Sequence, residues 1–153
     1  MVMKITQELL DRLTEEAKAS PRLRVNYDLR NSAEDGSQRM LNAIEPGSVL
    51  PIHRHRKTSE TMVCLRGKLV VEFYEEFAGG DGSPEPLVTD GSSQGKQGAR
   101  LIETIELSPN GPVMALNIPA GQWHTVHSAE SGTVILEMKD GPYEPLGPED
   151  ILE

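Results

Sequence analysis

The feature that most restricts the fold of this 153-residue chain is a series of short β-rich segments that begins near Gln38. Gly, Pro and Asn interrupt the series at short intervals, as they do between the strands of antiparallel sheets. The segments are residues 38–45, 48–55, 59–66, 68–77, 99–107, 112–118, 122–128 and 132–139. Eight strands at this spacing predict an antiparallel sandwich or a small barrel.

One helix is predicted, and it precedes the strands. Apolar residues recur every four positions from Ile5 to Ala17, which places one apolar stripe on a helix over residues 6–19. Thr6 is a suitable N-cap residue. Pro21 ends the helix, because the residue before a proline disfavours the α region.

Length and composition narrow the class of protein. The length fits one domain, so we expect a helix in residues 1–20 to pack on or beside a β domain in residues 21–153. The net charge of −9 argues against a nucleic-acid binder, and the single Cys excludes an intramolecular disulfide. Neither a signal-peptide pattern nor an 18-residue apolar run is present, which predicts a cytoplasmic protein that does not bind membranes.

The charge is distributed unevenly along the chain. Residues 22–68 carry nine Lys and Arg against five Asp and Glu, a net charge of +4, so the remainder carries −13. Such an asymmetry can place a positive field over an anionic ligand even in an acidic protein. Solvated surface charges explain the same pattern.

Three of the four histidines, together with one glutamate, are candidate metal ligands. His53 and His55 are two positions apart in a predicted strand, so both imidazoles lie on one face. Glu60 follows after a short bend, and His124 belongs to a later strand. Three imidazoles and a carboxylate suit one divalent transition metal ion such as Zn, Fe, Ni, Cu or Mn, and the sequence leaves its identity open.

Strand alternation also predicts the positions of neighbouring residues. Arg54 and Arg56 should face away from the histidines, which makes them poor candidates for a pocket. Cys64 falls on the inward face, where we expect a small buried hydrophobic residue rather than a nucleophile. His127 takes the face opposite His124, so it is expected to point outward.

The candidate ligands belong to two spaced motifs. The first motif comprises Gly47, His53, His55, Glu60 and Gly67, with five, one, four and six residues between them; the second is Pro119-x-Gly121-x-x-His124. Both motifs resemble those of the cupin superfamily. Two departures occur in the second motif, since seven residues instead of five separate Gly111 from Pro119, and Ser128 replaces the closing Asn.

The resemblance implies a fold and a ligand set. The implied fold is mainly β: a single cupin, a jelly-roll-like antiparallel β-barrel, with the N-terminal α-helix added. The implied metal ligands are the residues at the matching positions, namely His53, His55, Glu60 and His124. Neither departure touches a ligand.

More narrowly, the chain resembles the WbuC-type cupins, a small group associated with O-antigen or capsular polysaccharide gene clusters. The segments that carry this resemblance are residues 20–30, 38–47, 53–55, 118–125 and 141–145. The Gly-rich stretch 79–98 is longer than expected for that group and is predicted to be a flexible loop.

Polar residues in the two N-terminal segments of this resemblance are candidates for substrate binding. They are Arg24, Asn26, Arg39 and Asn42, and salt bridges to strand ends explain them nearly as well. The first functional hypothesis is a metal-dependent enzyme, such as an isomerase or epimerase, acting on a sugar or nucleotide-sugar intermediate of surface polysaccharide biosynthesis. The alternatives are a non-catalytic, metal-dependent module that binds a sugar or anion, and a metal-dependent dioxygenase. We further expect a homodimer formed through edge strands or residues 1–20.

Overall fold

The computed structural model describes residues 1–76 and 98–152. Its helix α1 spans Gln7–Ala19, as the apolar spacing predicts. The Thr6 hydroxyl caps the helix by accepting a hydrogen bond from the Leu9 amide at 3.2 Å. Ser20 follows in an extended conformation and ends the helix. The sequence pattern therefore predicts both ends of α1 correctly.

Ten strands follow the helix in the described residues. They are β1 (Arg24–Asp28), β2 (Ser37–Ile44), β3 (Ile52–His53), β4 (Glu60–Arg66), β5 (Leu69–Glu76), β6 (Ala99–Leu107), β7 (Ala115–Ile118), β8 (Trp123–Ser128), β9 (Val134–Asp140) and β10 (Ile151–Leu152), with a 3-10 turn at Pro148–Asp150 before β10. All eight predicted segments contain a strand. No helix in the described part of the chain is long and apolar enough to cross a membrane.

The strands form two antiparallel five-stranded sheets. Sheet one has the order β1-β2-β9-β4-β7, and sheet two has the order β10-β3-β8-β5-β6. Apolar side chains from both sheets, among them Met62, Ile135, Val71 and Val126, form one buried core. Leu10 and Leu13 of α1 cover the other face of sheet one. The architecture is therefore a jelly-roll-like barrel with a helix packed on one outer face.

Three differences from the predicted strands have physical reasons. The segment 48–55 forms a strand only at Ile52–His53, because Pro51 lacks the amide that a strand ladder requires. Strand β1 has the polar sequence Arg-Val-Asn-Tyr-Asp, and β10 is two residues long, so neither has a recognisable apolar pattern. The predicted loop at 79–98 lies outside the described residues except for Gly98.

Gly67, in the turn between β4 and β5, has φ +82°. A Cβ atom there would lie 2.4 Å from the Thr133 hydroxyl oxygen and 2.6 Å from the Thr133 Cα. Both the backbone conformation and the lack of space require glycine. This turn connects β4 of sheet one to β5 of sheet two.

Candidate metal centre

The two sheets bring the four candidate ligands together inside the barrel. His53 on β3 and His124 on β8 are paired neighbours in sheet two, and their ring centroids are 4.4 Å apart. His55 lies two residues further along the chain, with its ring centroid 5.1 Å from that of His53. These three imidazoles form one side of the candidate centre.

Glu60 supplies the fourth candidate ligand from sheet one. Its Oε2 atom lies 3.2 Å from Nε2 of His55 and 3.3 Å from Nε2 of His124. One ligand atom from each of the four residues lies within 4.8 Å of the others. The structure thus places together all four residues that the motifs select, with Glu60 contributed across the barrel interior.

Backbone carbonyls orient two of the imidazoles. Nδ1 of His53 lies 3.0 Å from the Pro51 carbonyl oxygen, and Nδ1 of His124 lies 2.9 Å from that of Gln122. A carbonyl oxygen only accepts, so in each ring Nδ1 is the donor and Nε2 carries the free lone pair. A hydrogen bond from the ring nitrogen that does not bind the metal commonly holds a metal-binding histidine in position.

The site fits a divalent metal ion. Nε2 of His55, Nε2 of His124 and Oε2 of Glu60 are buried without a hydrogen-bond partner among the described residues. Buried polar atoms are otherwise almost always paired. Separations of 3.2 and 3.3 Å between ligand atoms also match neighbouring ligands on an ion with bond lengths of about 2.0–2.2 Å.

The protonation states favour metal binding as well. Burial, with the neighbouring His124, lowers the pKa of His53 to about 4. Burial alone would raise the pKa of Glu60, but the imidazoles of His124 and His55, whose Nε2 atoms lie 3.3 and 3.2 Å from its Oε2 atom, keep it well below its usual range. His53 is therefore neutral and Glu60 ionised at neutral pH, the forms that bind metal ions.

A cavity of about 970 Å³ opens from the centre to the surface. Arg24, Asn26 and Asn42 line it, so three of the four predicted substrate-binding residues have access to the candidate centre. Arg39 does not line this cavity. Its guanidinium is bonded to Asp35 at 2.9 Å and to two backbone carbonyls instead.

Strand alternation also places acidic and basic residues of β9 in the cavity. Glu137 and Lys139 line it, opposite Met62 and Glu60 on β4. Loss of solvation and the charge of Glu60 raise the pKa of Glu137 to about 8. From the sequence, Glu137 is one of two candidate acids or bases, with Glu72, whose orientation stays open, and Lys139 is not singled out. The two β9 residues lie two and four positions after the buried Ile135 and therefore share its face.

The positions of two neighbours agree with strand alternation, whereas those of two arginines differ from it. Cys64 is buried in the apolar core, and His127 is exposed. Arg54 and Arg56, expected to face away, line the cavity because β3 ends at His53 and the chain no longer alternates.

The C-terminal segment forms the wall of the cavity at these arginines. Asp150 binds the side chains of Arg54 and Arg56, and its carbonyl accepts a hydrogen bond from the Arg54 amide at 3.0 Å. Strand β10 then pairs with β3, with Ile151 opposite His53. We call residues 141–152, which follow β9 and end in β10, the C-terminal strap.

Comparison with known proteins gives one match to a protein family and several to solved structures. The family is described as a domain of unknown function (DUF6016), and the match covers residues 5–80, just under half of the chain. No curated protein is significantly similar in sequence.

The solved structures share the architecture at low sequence identity. KdgF from Halomonas sp. is 14% identical with a TM-score of 0.51, and the match covers 82% of this chain and 84% of that one. L-ribose isomerase from Cellulomonas parahominis is 15% identical with a TM-score of 0.54, covering 97% and 89%. The capsular polysaccharide assembling protein CapF from Staphylococcus aureus is 17% identical with a TM-score of 0.56, covering 87% of this chain and 32% of that one.

At these identities the likeness shows the fold alone. The two sheets, the helix and the structural neighbours establish a cupin fold. Within that class, the chain is a cupin-fold protein with a His-His-Glu-His cluster that could hold a metal ion.

Proposed function

We propose that this protein is a metal-dependent enzyme of the WbuC type, which acts on a sugar or nucleotide-sugar intermediate of surface polysaccharide biosynthesis as an isomerase or epimerase. The observation that carries the proposal is the group of unpaired, buried ligand atoms of His55, Glu60 and His124 beside a cavity of about 970 Å³. A cavity of this size admits a small organic molecule.

The residues of the cavity have complementary roles in this proposal. His53, His55, Glu60 and His124 would hold the ion, which, when bound, supplies Lewis-acid polarisation of a carbonyl or hydroxyl group. Four protein ligands leave a coordination position open on an ion that prefers five or six. On the far wall, Arg24, Asn26 and Asn42 would orient the substrate.

Arg24 is suited to bind an anionic group of the substrate. Its Nη1 atom donates to the Ser48 hydroxyl at 3.2 Å and to the Val49 carbonyl at 3.1 Å, which fixes the guanidinium at the cavity wall. None of these partners is charged, so the positive charge remains available for a phosphate or carboxylate.

Two of the structural neighbours support a role in carbohydrate chemistry. One is named for capsular polysaccharide assembly and the other is a sugar isomerase bound to L-psicose. Fold similarity is compatible with many activities. Bound metal and the response to ligands, rather than the fold, therefore test the proposal.

The experiment measures bound metal and ligand response together. Protein purified without added metal is analysed for Zn, Fe, Ni, Cu and Mn, and its melting temperature is then screened against nucleotide-sugars. We expect about one ion per chain in the wild type and in the control His127→Ala, whose side chain is exposed. His124→Ala should lose the ion and any turnover.

The outcomes separate the three hypotheses. Turnover of a nucleotide-sugar that depends on the ion supports the isomerase or epimerase. A tightly held ion with ligand-induced stabilisation but no turnover favours the non-catalytic binding module. Bound iron with oxygen uptake favours the dioxygenase, and full turnover without metal contradicts all three.

We also propose a cytoplasmic homodimer. Strands β6 and β7 are the outer strands on one side of the two sheets. Ile102 on β6 and Met114, next to β7, are 50% and 56% exposed. Open strand edges with apolar side chains favour association with a second copy.

A further inference from the structure

Two arginines flank a strained residue at the wall of the cavity. Leu23 has φ +55°, and in the described part of the chain it is the one residue other than glycine with a positive φ. Its amide donates to the Ser20 carbonyl at 3.0 Å, and its own carbonyl accepts from the Glu45 amide at 2.9 Å. These bonds hold a conformation that costs a leucine free energy. Arg22 and Arg24, on either side of this turn, both line the cavity.

Ser48 connects the two arginines. It is buried, with 5% of its surface exposed. Its hydroxyl donates to the Arg22 carbonyl at 2.8 Å and accepts from Nη1 of Arg24 at 3.2 Å. Loss of solvation and the charge of Arg22 lower the pKa of Arg24, which agrees with two guanidinium groups close to each other. The turn therefore holds two positive charges at one place on the wall.

The free edge of the Arg24 guanidinium is an edge that binds oxyanions. Nη1 uses its two hydrogens on the Ser48 hydroxyl and the Val49 carbonyl, which leaves Nε and Nη2 as donors. In Arg30, the same two atoms both donate to the carboxylate of Asp28. Within the described ranges, Arg24 has this pair of donors but no carboxylate opposite them.

Arg22 adds a second cation without a counterion. Its side chain is exposed, and among residues 1–76 and 98–152 it forms no hydrogen bond or ion pair. Two guanidinium groups together match the double charge of a phosphate dianion, whereas a carboxylate would neutralise only one of them. Paired donors on a planar guanidinium also suit the oxygens of phosphate.

We propose that Arg22 and Arg24 form a binding subsite for a phosphate group of the substrate. Nε and Nη2 of Arg24 donate to two phosphate oxygens, and Arg22 pairs with the remaining charge. This assignment rests on the proposed function and deepens it. It names a phosphorylated sugar or a nucleotide-sugar as the substrate class, rather than a neutral sugar or a sugar acid.

The test uses metal-free protein, so that chelation of an ion cannot contribute to binding. Dissociation constants of inorganic phosphate, glucose 1-phosphate, glucose and acetate are measured by calorimetry at constant ionic strength and about pH 8, where a phosphate monoester is a dianion. We expect both phosphates to bind roughly tenfold more tightly than acetate or glucose. Glucose 1-phosphate should bind at least as tightly as inorganic phosphate.

The variants separate the subsite from the overall charge. Arg22→Gln and Arg24→Gln should each weaken the binding of glucose 1-phosphate roughly tenfold. The matched control Arg12→Gln removes the same charge from α1, outside the cavity, where Arg12 is paired with Glu16, and should have no effect. Melting temperatures establish that each variant is folded. Because Arg22 is exposed, its variant tests the subsite even if Arg24→Gln does not fold.

Equal affinity for phosphate and acetate in the wild type would overturn the subsite, as would an equal effect of Arg22→Gln and Arg12→Gln. Inorganic phosphate bound more tightly than glucose 1-phosphate would overturn the substrate class, because the site would then be one for free phosphate. Failure of the proposed function is distinguishable, since it is defined by the absence of bound metal or turnover, and neither enters these measurements.

Discussion

At the residue scale, the site depends on a few side chains whose identity the spacing of the motifs predicts. His53, His55, Glu60 and His124 lie together as the resemblance implies. The cavity-facing orientation of Glu137 and Lys139 was not predicted, because it depends on the register of β9 against β4. Local patterns predict which residues share a face, but the pairing of strands decides which face is inside.

Gly67→Ala should destabilise the fold by about 2 kcal/mol or more, because it combines a strained positive φ with a contact against Thr133. Gly132→Ala is the matched control: its φ is +85°, but nothing lies within 4 Å of an added Cβ. Chemical denaturation should give the control a loss of about 1 kcal/mol. Equal losses in the two variants would show that the contact with Thr133 contributes nothing.

At the scale of elements, the helix and the eight central strands follow from local sequence, whereas the first and last strands do not. β1 has no apolar alternation and β10 has only two residues. Each is a strand because an adjacent strand supplies its backbone hydrogen-bond partners. Long-range pairing of this kind leaves no local signature.

Thr6→Ala should lower the free energy of unfolding by about 1 kcal/mol, because the Leu9 amide loses its capping oxygen. Thr6→Ser keeps that oxygen and should have a small effect. The two variants are compared by urea denaturation. A similar loss in both would mean that the methyl group, and not the cap, is responsible.

Asp150→Asn should loosen the C-terminal strap without unfolding the barrel, because one carboxylate holds both Arg54 and Arg56. Hydrogen–deuterium exchange should rise in residues 148–152 and stay unchanged in β4 and β9. Glu144→Gln, in the same strap but 3.9 Å from the exposed Lys57, serves as the control. Unchanged exchange in Asp150→Asn would mean that the β10–β3 pairing alone keeps the strap attached to the barrel.

The attachment of the strap should also depend on pH. Burial opposes the ionised form of Asp150, but its bonds to Arg56 and Arg54 outweigh this and lower its pKa. A lowered pKa contributes stability above the usual aspartate range, and this contribution is lost as the pH falls through the folded value. Exchange in residues 148–152 should therefore be constant from pH 7 to pH 5, after correction for intrinsic rates, and increase below about pH 4.

At the scale of the whole molecule, the chain is a two-sheet barrel with a positive segment around its first motif. The net charge of +4 over residues 22–68 agrees with the arginines found at the cavity wall.

Light scattering coupled to gel filtration should give twice the mass of one chain if the proposed homodimer forms. Ile102→Glu and Met114→Glu together should then produce monomers, and a monomeric wild type would contradict the proposal.

The origin of the four ligands in two sheets has a consequence for the order of folding. His53, His55 and Glu60 are close in sequence, but His124 reaches them only after β8 has paired with β3 and β5. Such distant pairings form late, because closing a long loop is entropically costly. A refolding chain should therefore acquire tight metal binding only in its final kinetic phase. The rate at which the ion is bound would then report the rate at which sheet two is completed.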